Sequence, residues 1–273
     1  MLSGVNADGR YAPSPSGPLH LGNLRTALLA WLFARSQDAK LRLRIEDLDP
    51  QRSRVEHEAG QLADLRALGL DWDGPVVRQS GRRERHREAL EQLPTYPCWC
   101  TRAEIREAAR APHGGEAPYP GTCRRRKGGP GRPAAIRLDA QGARVGFTDR
   151  LHGHAEATVD DFVLWRKDDV PSYNLAVVVD DADAGVGEVV RGEDLLETTS
   201  RQVLLGRLLG FETPRYVHVP LVLGPDGKRM AKRDGAVGGS LGWMAASLGL
   251  AEAGEPVTPG LLLSRFDPLG WRP

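Results

Sequence analysis

Cysteine is scarce: three residues in 273, an odd number and too few to frame the chain with disulfides. Such usage leaves a metal site or free thiols. Long apolar runs are missing, and none approaches the roughly 18–20 residues that span a bilayer. The opening MLSGVNADGR has no charged segment followed by an apolar one, so no secretory leader is read and a cytoplasmic, membrane-free protein is expected. Net charge is also lacking. At +1 the chain has no overall field to draw in nucleic acid, and such a partner would need local basic clusters. There are no internal repeats.

What is present is ordinary in bulk, with 40% apolar and 27% charged residues. The length suits one large domain or a domain carrying an insertion. Two basic clusters stand out. Arg82, Arg83, Arg85 and Arg87 are interleaved with Glu84 and Glu88, which reads as a solvated helix face. Arg124, Arg125, Arg126 and Lys127 include no acid, and contact with a phosphate backbone stays open for them.

Along the chain, GRYAPS reads as a strand entering a turn. Leu21, Leu24, Leu28, Trp31 and Leu32 then recur at helical spacing, and Leu41, Leu43 and Ile45 alternate as a strand. This is a βαβ unit and implies a parallel sheet. A helix follows, with Ser53 and Glu56 spaced as a capping box and Gly69 near its end. From Tyr96 to Ala134 periodicity is lost, and cysteine, proline, glycine and arginine dominate. That stretch reads as an inserted module with a short helix after Thr101. Leu175–Val179 and Val186–Val190 read as two strands returning to the sheet. Asp180, Asp181 and Asp183 then fall in a hydrated turn between them. TSRQVLLGRLLG is a helix stopped at Gly210, and two short helical patterns follow Lys232. The fold class is α/β, and such sheets bind ligands beyond the carboxyl ends of their strands. Arg10, Ser14, Glu46, Asp47 and Arg191 fall near predicted strand ends.

In SGPLHLGN, Gly17 permits close backbone approach, Pro18 suits a first helical turn, and the helix N-terminus offers unpaired N–H groups to an anion. His20 and Asn23 share one face of that turn. Far downstream, GPDGKRMAKRDG is a glycine-bounded loop carrying Lys228, Arg229, Lys232 and Arg233. Together the two stretches resemble the signatures of class I aminoacyl-tRNA synthetases, His-Ile-Gly-His and Lys-Met-Ser-Lys-Ser. Here they read His20-Leu21-Gly22-Asn23 and Arg229-Met230-Ala231-Lys232-Arg233. RYAPSPSGPLHLGNLRTAL, LRIEDLDPQR, YNLAVVVDD and VVRGEDLLETTSRQ narrow the resemblance to the glutamyl branch, in the family's order over almost the whole chain. The loop departs from the pattern at Arg229 and Ala231, which leaves Lys232 as the safest catalytic cation.

The resemblance implies a Rossmann-type doubly wound parallel sheet, a small zinc-bearing insertion and a short C-terminal helical segment. Residues 1–95 and 135–235 would form the catalytic domain with the rest of its insertion, 96–134 the zinc module and 236–273 the C-terminal segment. His20, Asn23 and Lys232 would be catalytic. ATP, accompanied by Mg²⁺, would meet Pro18, His20, Gly22, Asn23, Arg229, Met230 and Lys232. L-Glutamate would meet Arg10, Tyr11, Ala12, Pro13, Ser14, Glu46, Tyr173 and Arg191. Two guanidiniums suit its carboxylates, and Glu46 its ammonium.

Cys98, Cys100 and Cys123 supply three thiolates, and a structural Zn²⁺ takes four ligands. Ordinary ligand rules point to His113 as the fourth; the resemblance points to Tyr119, since the small members carry C-x-C followed by Y-x₃-C. The chain runs only about forty residues past Lys232, without room for an anticodon-binding domain. It is therefore similar to the stand-alone paralogues that transfer glutamate to queuosine in the anticodon of tRNA(Asp), and a monomer is expected. A truncated synthetase charging the 3′ end of tRNA(Glu), and a non-catalytic zinc-dependent RNA-binding module, remain as alternatives.

Overall fold

The computed structural model describes residues 7–101, 103–105, 119–126, 128–223 and 241–273. The lysine loop, with Lys228, Arg229, Met230, Ala231, Lys232 and Arg233, lies outside the described residues, as do His113 and Lys127.

The βαβ unit forms as expected. β1 (Gly9–Tyr11) and β2 (Leu41–Ile45) pair in parallel with Arg10 opposite Arg42, and α1 (Leu21–Arg35) crosses between them. Ten side chains of α1 are buried, eight of them consecutive from Ala27 to Ala34. A helical stretch apolar on every side has to be wrapped by protein. The wrapping includes the C-terminal segment, whose Phe266 and Trp271 meet Phe33 edge-on at 5.0 and 6.0 Å. Each fully buried Leu or Phe here contributes about 1.5–3 kcal/mol.

The chain continues through α2 (Val55–Ala67), β3 (Val77–Arg78) alongside β2, α3 (Arg83–Glu91) and β4 (Thr95–Cys98). Next come β5 (Ala135–Leu138), β6 (Arg144–Asp149), β7 (Gly153–Thr158) and β8 (Val163–Trp165). β4, β5 and β8 form a small antiparallel sheet, so the strands bracketing the expected insertion pair with each other. The chain then forms α4 (Tyr173–Asp183), β9 (Glu188–Gly192), α5 (Thr199–Leu208), β10 (Arg215–Val219), α6 (Leu241–Ser247) and α7 (Pro259–Arg265). β10 pairs in parallel with β9 and β6, and β7 closes the edge antiparallel. The Asp8 carbonyl accepts from Gly187 and Glu188 N–H at 2.9 and 3.1 Å, setting β9 beside β1. Strand order thus reverses between β1 and β9, where an open α/β sheet leaves a crevice.

Three local expectations change. Tyr173–Asp183, including the expected strand Leu175–Val179, is helical. A short continuous apolar run fits a buried helix as well as a strand, and here the Ser172 hydroxyl caps the helix by accepting from Leu175 N–H. Asp180 and Asp181 therefore lie buried on a helix, not in a hydrated turn. The Ser53–Glu56 capping box does not form: the helix starts at Val55 behind Arg54, with no side-chain cap. The arginines of α3 and its approach are paired, Arg82 and Arg85 with Asp183, and Arg83 and Arg87 with Asp169. Arg124 is likewise engaged, clamping Asp161 and Asp139.

Candidate active site

The segment between β1 and α1 is held by its carbonyls. Pro13 O accepts from Glu46 N–H at 2.9 Å, and Pro15 O from Arg54 N–H at 3.0 Å. Buried Gln61 on α2 donates its amide to both Ser14 O and Gly17 O, at 3.0 and 2.7 Å. Prolines suit such a loop because it needs acceptors more than donors. It forms one wall of a cavity of about 420 Å³ at the carboxyl ends of β1, β2 and β9. Arg10, Tyr11, Ala12, Pro13, Ser14, Pro18, His20, Gly22, Asn23, Glu46, Tyr173 and Arg191 all line it. The structure thus brings together every described residue expected for glutamate and ATP.

At one end lies the first turn of α1. His20 caps it: its Nδ1 accepts from Asn23 N–H at 3.2 Å, while Asn23 Oδ1 accepts from His20 N–H at 3.3 Å. In a neutral ring this makes Nε2 the donor nitrogen. Gly22 sits against the ring, and a Cβ there would come within 3.1 Å of His20 Cε1. Tyr11 donates its hydroxyl to Asn23 O at 3.2 Å, tying β1 to the same turn.

At the other end, charges alternate through the core. Arg10 Nε donates to Asp181 at 3.2 Å, and Arg44 donates both to Asp181 at 2.5 Å and to Glu46 at 3.2 Å. Burial raises the Asp181 carboxyl, but Arg44 and Arg10 outweigh it and hold the group below its ordinary range. For Glu46 burial wins over Arg44 and Arg10, and the carboxyl is pushed up. Arg44 and Asp181 were not among the expected site residues.

Arg191 has a different environment. Its Nε donates to His218 Nε2 at 3.0 Å, Nη1 to Gln202 Oε1 at 2.7 Å and Nη2 to Thr199 Oγ1 at 2.8 Å. All these acceptors are neutral, and among the described residues no ion pair holds this buried guanidinium. Described residues take three of its five N–H groups, which leaves two that could meet a ligand. Sequence reasoning missed the whole cradle. The available signal was Thr199 and Gln202, three apart on one face of α5.

Residues 7–247 match the model of the family described as tRNA synthetases class I (E and Q), catalytic domain. The chain belongs to that family. It is a ligase of the class I aminoacyl-tRNA synthetase type. A glutamyl-Q tRNA(Asp) synthetase from Nocardia farcinica is 54% identical over 287 residues, which cover 97% of this chain and 90% of the relative. A glutamate–tRNA ligase from Nitratidesulfovibrio vulgaris is 46% identical over 85% of this chain, and the match spans 52% of that protein. The crystal structure of glutamate-tRNA synthetase from Elizabethkingia anophelis superposes with a TM-score of 0.80 at 28% identity, covering 97% of this chain and 66% of that one.

Away from the cavity of this class I catalytic domain, Cys98, Cys100 and Cys123 gather their sulfurs within 4.8 Å of one another. Cys100 and Cys123 are 3.5 Å apart, and Tyr119 Oη lies 3.4 Å from Cys98 Sγ and 3.8 Å from Cys100 Sγ. A tetrahedral zinc with Zn–S near 2.3 Å sets its sulfurs about 3.8 Å apart, so these four groups fit one. Against burial, which raises it, hydrogen bonds from Tyr119 and the Trp99 backbone bring the Cys123 thiol down to about 7. Lys167 donates to the carbonyls of Trp99 and Cys100 at 3.2 and 3.0 Å, fastening the cysteine turn to the loop after β8. Among the described residues no helix is long and apolar enough to cross a membrane.

Proposed function

We propose that this chain activates L-glutamate with ATP, without tRNA, and transfers it to the queuosine base at the anticodon wobble position of tRNA(Asp). The observation that carries the activation half is the charge pattern of one cavity. Two buried guanidiniums, Arg10 and Arg191, and one carboxylate, Glu46, line its inner end, and the capped N-terminus of α1 lines the other. Two cations and one anion match the two carboxylates and one ammonium of glutamate. Glutamine, with one carboxylate, leaves a buried charge unpaired.

In this reading Arg10 and Arg191 take the carboxylates, Glu46 the ammonium, and Ser14 and Tyr173 orient the chain of the amino acid. The backbone from Arg10 through Tyr11, Ala12 and Pro13 forms the floor. The α1 N-terminus, with Pro18, Gly22 and Asn23, faces the ATP phosphates, and His20 donates through Nε2. Mg²⁺ accompanies the triphosphate and neutralises part of its charge. Arg229, Met230 and Lys232 would complete the phosphate contacts. An oxygen of the substrate α-carboxylate attacks the α-phosphorus, pyrophosphate leaves, and glutamyl-adenylate forms. A hydroxyl of the queuosine cyclopentenediol then attacks the acyl carbon, gives up its proton, and releases AMP. Cys98, Cys100, Tyr119 and Cys123 would hold a structural Zn²⁺, which organises the inserted module and takes no part in these steps.

The acceptor is supported by the Nocardia farcinica relative, matched over nine-tenths of its length. The test is glutamate-dependent ATP–pyrophosphate exchange without tRNA, followed by transfer of labelled glutamate to tRNA(Asp) with and without queuosine. Exchange without tRNA, and labelling only of the queuosine form, is expected. Equal labelling of both forms, or labelling of the 3′ end of tRNA(Glu), would reject the acceptor. Lys232→Ala should slow adenylate formation by about 10²–10³; an unchanged rate removes that lysine from the reaction.

A further inference from the structure

We infer that His218 is a positioning residue for the carboxylate subsite: it fixes the plane of Arg191 and, by staying neutral, leaves the arginine's charge for the ligand. This rests on the reading of Arg191 as the partner of a substrate carboxylate.

The tautomer follows from donor bookkeeping. An arginine Nε–H can only donate, so His218 Nε2 must present its lone pair at 3.0 Å. The ring proton is then on Nδ1, 2.7 Å from Asp149 Oδ2. Asp149 is itself saturated, accepting backbone N–H groups of His218, Leu151 and His152 at 3.0, 2.9 and 3.0 Å. The carboxylate at the end of β6 thus holds the imidazole on β10, and the imidazole holds the guanidinium on β9.

The surroundings favour one orientation and one charge state. His218 is fully buried. Tyr216 stacks on it at 5.8 Å and 15°, and Phe147 covers it at 6.3 Å. The charged and titratable groups around it are Arg191, Asp149, Tyr216 and His152, whose Nε2 bonds the His218 carbonyl at 2.9 Å. Burial lowers the imidazolium against the pull of Asp149, which favours the neutral ring. Protonated His218 would lose its acceptor and place a second cation against Arg191. A carboxylate in its place would neutralise the guanidinium before substrate arrives. His218 does not line the cavity, so it acts on the ligand only through Arg191.

The experiment measures exchange kinetics of the full chain with His218→Asn and His218→Gln. Asn retains a donor for Asp149 and loses the acceptor that Arg191 needs; Gln places an acceptor near the position of Nε2. Expected is a rise of about tenfold or more in the glutamate KM for His218→Asn. Its ATP KM should stay within about twofold, and His218→Gln should recover most of the loss. An unchanged glutamate KM in folded His218→Asn, or glutamate and ATP KM rising together, would overturn the inference. Imidazole nitrogen-15 shifts of the wild-type protein at pH 7 test it without a variant: Nδ1 protonated and Nε2 bare are expected, and a protonated Nε2 overturns it. Wild-type protein lacking exchange altogether would instead refute the proposed function.

Discussion

Asp181 fastens Arg10 at 3.2 Å and Arg44 at 2.5 Å, two arginines from adjacent strands on one carboxylate. Among the described residues, removing that charge leaves buried Arg10 with only the Val190 carbonyl, and Arg44 with Glu46 and the more distant Asp180. Asp181→Asn should destabilise the fold by about 3 kcal/mol and raise the glutamate KM through Arg10. Because its folded carboxyl is held low, Asp181 contributes stability that is present above the ordinary aspartate range, near pH 4, and is lost as pH falls through the lowered value. Urea unfolding of both proteins between pH 7 and 3 checks this. The wild type should lose more stability than the variant over that range.

Gln202 Oε1 is a neutral acceptor 2.7 Å from Arg191 Nη1, and the other end of its amide donates to Asn174 at 3.0 Å. Gln202→Glu places a counter-ion where the described residues supply none. The expected result is an intact fold with a glutamate KM raised about 100-fold, because the substrate carboxylate now meets a neutralised site. Exchange kinetics beside a thermal melt separate the two effects.

Gly22 occupies the first turn of α1, where alanine would favour the helix by up to about 1 kcal/mol. Against that stands the 3.1 Å approach of its Cβ to His20. Gly22→Ala should leave Tm within a few degrees while slowing adenylate formation at least about tenfold, since a displaced His20 misaligns the phosphate end. Stopped-flow adenylate formation is the measurement.

Tyr119→Phe removes only an oxygen, but that oxygen lies 3.4 Å from Cys98 Sγ and accepts the Cys123 N–H at 2.8 Å. Protein purified without chelators should carry about one zinc per chain in the wild type and clearly less in Tyr119→Phe and Cys98→Ser. Metal analysis by mass spectrometry decides it. Equal zinc in wild type and Tyr119→Phe would return the fourth ligand to another residue.

The first βαβ unit was legible because Leu41, Leu43 and Ile45 alternate while the α1 leucines recur at helical spacing, two periods that do not mimic each other. Tyr173–Asp183 was not, since its apolar centre has neither period clearly and Ser172 gave the only local sign of a helix start. The acidic residues that follow were misplaced with it. The partners of Asp181, Arg10 and Arg44, are more than a hundred residues away in sequence, and no local window contains such a pair. The cradle of Arg191 lies nearer in sequence, with Thr199 and Gln202 8 and 11 residues on in α5, but its histidine is 27 residues away on β10. Residue types at strand ends indicated the cavity; the groups that orient them became visible only with the tertiary structure.

The helix that begins at Leu21 has no wet side along most of its length. A body clamped on every face has no soft direction, so tilting it by even a fraction of an ångström would disturb packing all round. Its first turn is therefore a fixed datum for whatever anion it receives. Adjustment to different substrates has to come from the other walls of the cavity.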